Sequence, residues 1–156
     1  VTSFVRDDSD WDTRCSFVKT EEGWKEENWK KFAELGLLGV PFDEDQGGLG
    51  GEATDIMIVM EQFGKGLVVE PYMPSIILAG GLISKLGSAD QKNLIIPEII
   101  SGDRRYVFAY AEPQSRFDLF DVKCSATLDG DNYTINGFKS VVFGAGMATH
   151  LIISAD

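Results

Sequence analysis

The sequence contains one histidine, two cysteines and no long apolar run, and each shortage excludes a class of protein. Hydrolytic triads and imidazole-based metal sites depend on histidine, whereas His150 begins an apolar strand-like segment that favours a packing or surface role. Cys15 and Cys124 are isolated and lack the spacing of metal ligands, so we expect two buried free thiols, no metal and a cytoplasmic location. The apolar runs are too short to cross a bilayer, so we expect no membrane insertion.

Positive charge is also scarce, because 14 Lys and Arg residues face 25 Asp and Glu residues and leave a net charge of −11. Such a surface repels phosphate backbones at long range, so we expect no nucleic-acid partner. A phosphorylated ligand held by a few local cations is still compatible with it. An apolar fraction of 44% over 156 residues is ordinary for a globular protein with a core. Because the chain opens on Val1, we expect its original N-terminus to have been lost or processed.

The apolar periodicity of residues 1–103 predicts helices. One helix carries Trp29 and Phe32 and ends just before Gly36, which suits a left-handed C-cap. A second helix is expected to begin near Glu52, where apolar residues start to recur at three- and four-residue steps.

A third and a fourth helix follow in the same half of the chain. Pro74–Leu86 is apolar on almost all sides, so we expect this helix to be central. Ser88 and Gln91 have the spacing of a capping box, which predicts a further helix that runs to Ile100.

From residue 104 onward the pattern changes to short strands separated by tight turns. Asp129–Asn132 and Asn136-Gly137 are strong turn sequences, so each strand is expected to be antiparallel to its neighbour in sequence. The last strand reaches Asp156 without a partner, and an open apolar edge indicates a truncated sheet. The predicted strands are Tyr106–Tyr110, Val122–Leu128, Tyr133–Ile135, Ser140–Phe143 and His150–Ser154. The fold class is therefore α+β, with an all-α N-terminal domain (1–103) followed by the first part of an antiparallel β-barrel or sandwich (104–156).

Three motifs resemble known sites but fit simpler interpretations better. Gly47–Gly51 is similar to a phosphate loop, yet no strand precedes it and no Lys-Ser/Thr follows, so we interpret it as a flexible helix–helix connection. Gly144–Gly146 resembles the start of a dinucleotide fingerprint, but Thr149 stands where the third glycine belongs. Glu112 and Asp118 are candidates for a pair of catalytic carboxylates. Acidic residues at such positions more often belong to a solvated loop, and we interpret them in that way.

A colinear series of motifs from about Trp24 onward resembles the acyl-CoA dehydrogenase family. Each motif is weak alone, whereas their order and spacing together are specific. The motifs are Leu35–Pro41 followed by Gly47–Gly50; Gly87–Lys92 followed by Pro97 and Ser101-Gly102; Ala111-Glu112-Pro113 with Asp118; and Asp129–Asp131, Tyr133, Ile135–Gly137 and Lys139.

The resemblance implies dehydrogenation of an acyl-CoA thioester, in which a glutamate takes the α-proton and FAD takes the β-hydride. It further implies homo- or hetero-oligomers and transfer of electrons to an electron-transfer flavoprotein. In this family a C-terminal helical bundle supplies the catalytic base. We therefore expect a chain truncated before that bundle, with the base beyond Asp156 and with no activity of its own.

The resemblance also assigns the site residues. The flavin-facing positions are Phe108, Tyr110, Ala111, Phe117, Val141, Val142 and Phe143, and the substrate-binding positions are Arg116 and Phe117. Arg116 has three possible partners: a substrate carboxylate or CoA phosphate, the neighbouring Asp118, or another chain.

The flavin positions depart from the family's usual pattern. Where the family has Thr-Glu-Pro-Gly-x-Gly-Ser-Asp, this chain places Ala111 at the threonine and Phe117 at the serine, and Val141–Phe143 replaces Trp-Ile-Thr. Each lost polar contact costs about 1 kcal/mol, which predicts weakened or remodelled FAD binding. The variant loop resembles that of the small subunit of pimeloyl-CoA dehydrogenase, which favours a heteromeric or dicarboxylyl-CoA branch. A flavin-poor, non-catalytic subunit and a helical interaction module without cofactor are the alternatives.

Overall fold

The computed structural model describes residues 1–8 and 11–156, with the backbone alone for residues 6–8. Helices fill the first two thirds of the chain, and none in the described part is both long and apolar enough to cross a membrane. The helices are α1 (Thr2–Asp8), α2 (Trp11–Phe17), α3 (Glu26–Glu34), α4 (Ala53–Lys65), a π-helix (Tyr72–Gly80), α5 (Gly81–Leu86) and α6 (Ala89–Ile100), with 3₁₀ helices at Leu37–Gly39, Glu44–Gln46 and Ala145–Met147.

Aromatic side chains form the centre of the helical part. Trp29 and Phe32 are buried on one face of α3, and the ring of Phe32 stacks on Phe63 of α4 with 4.8 Å between centroids. Phe63 meets Tyr72 edge to face at 5.1 Å. The hydroxyl of Tyr72 donates to the carbonyl of Leu37 at 2.9 Å, and burial raises the pKa of this phenol, so it stays protonated as a donor.

The helix ends confirm the local predictions. Gly36 has a φ of 71°, as a left-handed cap after α3 requires. Glu52 is the N-cap of α4 and forms a capping box with Asp55. Ser88 and Gln91 cap each other at the start of α6 through hydrogen bonds of 2.9 and 3.2 Å. These ends depend on contacts within one turn, so the sequence alone predicts them.

The helix predicted at Pro74–Leu86 begins two residues earlier, as the π-helix Tyr72–Gly80, and continues without interruption as α5 to Leu86. Ser75 and Ile76 are fully buried, whereas Leu78 is partly exposed. One face of the helix therefore packs into the core and the other faces solvent. Gly80 permits this packing, because a Cβ at that position would lie 2.5 Å from Cζ of the buried Phe42 ring. Because Gly80 has no Cβ, the π-helix can pack closely against the side chain of Phe42.

Two smaller predictions need correction in the described part of the chain. The loop at Gly47–Gly51 does connect a 3₁₀ helix to α4, but backbone hydrogen bonds hold it, among them Gly48 to Asp43 at 3.0 Å and Gly51 to Val40 at 2.8 Å. Its interpretation as flexible is therefore wrong. Cys15 and Cys124 are both free thiols, yet only Cys124 is buried.

Among the residues that the structure describes, four strands follow the helices: β1 (Tyr106–Ala109), β2 (Ser125–Asp129), β3 (Asn132–Asn136) and β4 (His150–Ile153). β2 and β3 form the predicted antiparallel hairpin, with Gly130 in the turn at a φ of 62°. β1 and β4, which are not neighbours in sequence, pair in parallel with Tyr106 opposite His150, so the expectation that the last strand has no partner is wrong. The two paired strands are separated by a long connection that contains the hairpin, and such a connection permits parallel pairing.

The predicted strand Ser140–Phe143 is not formed. Ser140 makes one backbone hydrogen bond to Ala111, at 2.9 Å, and no ladder continues from it. Gly144, at a φ of 79°, then turns the chain into the 3₁₀ helix Ala145–Met147. Residues 140–143 therefore lie beside the end of β1, held there by this hydrogen bond, without joining a sheet.

Candidate functional site

The first group of predicted flavin-facing residues lies at the end of β1. The ring centroids of Phe108 and Tyr110 are 5.3 Å apart, with their planes tilted by 35°. Both point away from the face of β1 that buries Val107 and Ala109, because side chains alternate along a strand. Ala111 follows, and its carbonyl oxygen accepts the Ser140 hydrogen bond.

The second group, Val141–Phe143, lies beside the first because Ser140 is bonded to Ala111. The side chains of Val141 and Phe143 are 55% and 52% exposed. The backbone N–H groups of Val141 and Val142 meet no acceptor in the described chain. The hydrogen bond between Ser140 and Ala111 thus joins two apolar segments, residues 108–111 and 141–143, the second of which has free backbone donors. We call Phe108, Tyr110, Ala111 and Val141–Phe143 the apolar wall.

Arg116 and Phe117 are not brought to this wall. They lie on the turn after Pro113, where Phe117 is 98% exposed and Arg116 is also exposed. Arg116 forms no ion pair with Asp118 among the described residues. Its φ is 49°, in the left-handed region, which explains why the family's usual pattern has glycine at this position.

Glu112 is buried and bonded on both carboxylate oxygens, so its interpretation as part of a solvated loop is wrong. Lys139 Nζ lies 2.7 Å from Oε1, and the amide of Gln114 donates to Oε2 at 2.8 Å. The backbone N–H groups of Lys123 and Cys124 also donate to this carboxylate, at 2.9 and 3.1 Å. The carboxylate therefore joins the end of β1 to two later segments of the chain.

The environment of Glu112 favours its charged form. The hydrogen bond from Lys139 is the largest influence, the hydrogen bond from Gln114 comes next, and together they lower the pKa of Glu112 to about 2 despite its burial. Lys139 also bonds to Ser154 Oγ at 3.0 Å and approaches the carbonyl of Tyr110 at 3.5 Å. The Glu112–Lys139 ion pair therefore fixes the backbone at Tyr110, a residue of the apolar wall.

A cleft of about 450 Å³ opens between the helical part and the apolar wall. Phe63 of α4, Pro74 of the π-helix and Phe143 of the wall contribute apolar surface to it. Its charged lining residues are Arg14 and Glu70. We call it the Phe143 cleft.

A second cleft, of about 530 Å³, lies along the π-helix and α5 and is lined by Phe108 of the wall. Phe42, Ile56 and Leu82 make it apolar, and Lys85 is its one charged lining residue among those described. Each cleft thus includes one residue of the apolar wall and one stretch of the π-helix.

Three residues of this region were not among the predicted site residues: Glu70, Arg14 and Lys139. Lys139 follows the Asn136-Gly137 turn, and a single cation in a largely apolar stretch is a signal for a buried partner. Glu70 likewise interrupts the apolar run Leu67–Tyr72. Arg14 carries no comparable signal, because its position depends on how α2 packs.

One protein family has a sequence model that matches residues 6–103 of this chain, well over half of its length. The family is described as Acyl-CoA dehydrogenase, N-terminal domain.

Curated relatives match the chain over most of its own length. The acryloyl-CoA reductase (NADH) of Anaerotignum propionicum is 34% identical over 141 residues, which covers 88% of this chain and 36% of that protein. The short-chain specific acyl-CoA dehydrogenase of human mitochondria is 31% identical over 129 residues, which covers 81% and 31%. The chain spans about a third of the length of the curated relatives it matches.

Solved structures share the fold. A variant of the Tcur3481–Tcur3483 steroid ACAD is 29% identical, with a TM-score of 0.85 over 99% of this chain and 42% of that one. The acyl-CoA dehydrogenase of Geobacillus kaustophilus has a TM-score of 0.86 over 99% and 40%, and at 23% identity it shows the fold alone. These matches confirm the predicted helical domain followed by the first strands of a second domain.

Proposed function

The chain belongs to the acyl-CoA dehydrogenase family, and from this membership we propose that it is part of a subunit of an FAD-dependent acyl-CoA dehydrogenase. The proposed reaction is α,β-dehydrogenation of an acyl-CoA thioester, with electrons passed to an electron-transfer flavoprotein in the cytoplasm. The observation that carries the proposal is the apolar wall, which consists of residues at the family's flavin positions and borders the Phe143 cleft. Residues 1–103 and 104–156 are the proposed domains.

The apolar wall fits a flat aromatic ring system through its surface and its backbone. Val141 and Phe143 present half-exposed apolar side chains against which such a ring would pack. The free N–H groups of Val141 and Val142 are donors that need no particular side chain. These features support FAD binding at the wall without the hydroxyls that Ala111 and Phe143 lack.

FAD, when bound, would supply the acceptor for the β-hydride of the substrate. Phe108, Tyr110 and Phe143 would exclude water from that face, and a water-poor site strengthens the electrostatic stabilisation of an enolate. The Glu112–Lys139 ion pair would hold the wall's backbone in place before any ligand arrives. No residue of this chain is assigned as the catalytic base, so we expect the described chain alone to be inactive.

A heteromeric assembly is the proposed oligomeric form. The variant loop Gln114–Asp118 supports it, because it is similar to that of heteromeric members such as the pimeloyl-CoA dehydrogenase small subunit. The steroid ACAD with 29% identity carries two chain names, Tcur3481 and Tcur3483, which is consistent with such a pairing.

The test uses the full-length protein, purified alone and with its partner subunit. We expect a yellow flavin absorbance spectrum and acyl-CoA-dependent reduction of an electron-accepting dye. If neither the spectrum nor the dye reduction appeared in either of the two preparations, the proposal would be rejected.

The second candidate is a non-catalytic subunit that has lost the flavin. The carbonyl of Ala111 is already bonded to Ser140, and no hydroxyl replaces the one that this position usually carries. A full-length protein that binds acyl-CoA but contains no flavin would favour this candidate.

A pair of substitutions tests whether these positions contact the flavin. Restoring the family's residues with Ala111→Thr and Val141→Trp should raise FAD affinity about fivefold for each recovered contact if the wall holds the flavin. Leu128→Trp, on the exposed hairpin, is the matched control and should leave the affinity unchanged. Unchanged affinity in all variants would show that these positions do not contact the flavin.

A further inference from the structure

Glu70 is a buried residue at the lining of the Phe143 cleft, and few groups of the described protein bond to its carboxylate. The residue is 6% exposed. Asn28 Nδ2 donates to Oε1 at 2.7 Å, and no other group of the described chain donates to this carboxylate. No described lysine or arginine forms an ion pair with it.

The contrast with Glu112 shows what a buried carboxylate ordinarily requires. Glu112 has a lysine, a side-chain amide and two backbone N–H groups as partners. Burying a carboxylate with less compensation is strongly unfavourable, and an ionised carboxylate accepts up to about four hydrogen bonds. Glu70 therefore keeps accepting capacity that the described protein does not fill.

A purely structural role for Glu70 would not need the charge. Asn28 requires one acceptor, and the oxygen of a glutamine would supply it at the same position. Arg14 is the other charged lining residue of the cleft, but its Nε is bonded to the carbonyl of Leu67 at 2.9 Å and its guanidinium lies 5.8 Å from the Trp11 ring centroid. The carboxylate of Glu70 therefore has room to accept a hydrogen bond from a donor that enters the cleft.

We infer that Glu70 sets the substrate class of the Phe143 cleft, which takes acyl thioesters whose chain carries a hydrogen-bond donor, such as a hydroxyl group, near its far end. The inference rests on the proposed function, because it places the acyl chain beside Phe143. A distal carboxylate would meet the negative charge of Glu70 in a site of low polarity and would be repelled. A dicarboxylyl thioester is therefore disfavoured.

The test measures dissociation constants by calorimetry on the full-length protein with any partner subunit. A series of ω-hydroxyacyl-CoA thioesters is compared with plain and ω-carboxyacyl thioesters of equal length. We expect the best hydroxyacyl ligand to bind about tenfold or more tightly than its plain counterpart, since hydrogen bonds to charged groups are strong. The carboxyacyl ligand should bind more weakly than both.

Glu70→Gln is the informative variant, because it keeps an acceptor for Asn28 and removes the charge. The preference for the hydroxyacyl ligand should fall severalfold, and the discrimination against the carboxyacyl ligand should disappear. Glu61→Gln is the matched control: it neutralises an exposed carboxylate of α4 outside the cleft and should change neither ratio.

The outcomes distinguish a failure of the proposed function from a failure of the inference about Glu70. If no acyl thioester binds, the proposed function fails and the inference with it. If acyl thioesters bind without preference for the hydroxyl, or if the carboxyacyl ligand binds best, the inference alone is overturned. Should Glu70→Gln not fold, the wild-type ratios decide in the same way.

Discussion

Arg116 occupies a backbone conformation that residues with a Cβ rarely adopt. Its φ is 49°, and its side chain is exposed on the turn that also carries Phe117. A left-handed conformation costs a residue with a Cβ about 1–2 kcal/mol, while glycine pays an entropic cost of about 0.5–1 kcal/mol on folding. The turn is therefore strained at a single residue, and that strain is measurable.

We predict that Arg116→Gly raises the free energy of unfolding by about 0.5–1 kcal/mol, because glycine adopts this φ without strain. Arg116→Ala removes the same guanidinium but keeps the Cβ, so it should change stability by less than about 0.5 kcal/mol. Urea denaturation of the three proteins is the measurement. Equal stabilisation by both variants would assign the effect to the side chain instead.

Glu112 is predicted to make the stability of the protein depend on acid pH. Its native pKa of about 2 lies below the ordinary value of 4.5, so its charged form stabilises the fold above about pH 4.5. That stabilisation is lost as the pH falls through about 2. Glu112→Gln should therefore unfold more easily than wild type near neutral pH, and the difference should shrink between pH 4.5 and 2.

Glu61→Gln serves as the control for this acid dependence. Glu61 forms an exposed ion pair with Lys65 at 2.9 Å, and such surface pairs contribute little to stability. Its unfolding free energy should follow that of wild type at every pH. If the unfolding free energy of Glu112→Gln stayed below that of wild type by the same amount down to pH 2, the role assigned to the charge of Glu112 would be contradicted.

At the scale of elements, the junction between the π-helix and α5 contains two adjacent glycines with different surroundings. A Cβ on Gly80 would lie 2.5 Å from the Phe42 ring, whereas a Cβ on Gly81 would meet nothing within 4 Å. Both have ordinary helical dihedral angles. The pair therefore separates the effect of close packing from that of helix propensity.

We predict opposite signs for the two alanine substitutions. Gly80→Ala should destabilise the protein by about 1–3 kcal/mol, because the added methyl displaces the buried Phe42 ring. Gly81→Ala should stabilise it by up to about 1 kcal/mol, because alanine is the better helix former. Thermal unfolding followed by circular dichroism measures both, and a stabilising Gly80→Ala would contradict the packing described here.

The elements also show which predictions a local pattern supports. The cap at Gly36 and the capping box at Ser88 are confirmed because each depends on hydrogen bonds within a few residues. The π-helical geometry of Tyr72–Gly80 was not predicted, since its apolar composition is equally compatible with an α-helix. The Tyr72–Leu37 bond and the approach of Phe42 to Gly80 accompany that geometry, and both are contacts between distant parts of the chain.

At the scale of the whole molecule, burial is unequal between the two parts. The helical part contains the large buried aromatic residues, while every residue of β3 is exposed and β2 has one half-buried residue, Ala126. The hairpin is joined to the rest at its base, where Asp156 bonds to Cys124 and Ala126 at 2.8 Å. Its strands thus have few tertiary contacts to protect them.

We predict that hydrogen exchange divides this chain into two regions. Backbone amides of β2 and β3 should exchange well before those of α6, where Ile96 and Ile99 are fully buried, because local opening requires less energy where little apolar surface is lost. Hydrogen exchange followed by mass spectrometry of residues 1–156 tests this. Equal protection of the hairpin and α6 would show that the two parts open together.

The sequence by itself determined the helical first part, the helix caps, the β2–β3 hairpin and the family resemblance. These features depend on short-range periodicity, on glycine conformations and on motif order, all of which are written within a few residues of one another. Only the tertiary structure decided the parallel pairing of β1 with β4, the burial of Glu112 against Lys139 and the position of Glu70 in the Phe143 cleft. Each of these depends on which distant segments meet and on how much water their contact removes, and neither quantity is encoded in any single stretch of the chain.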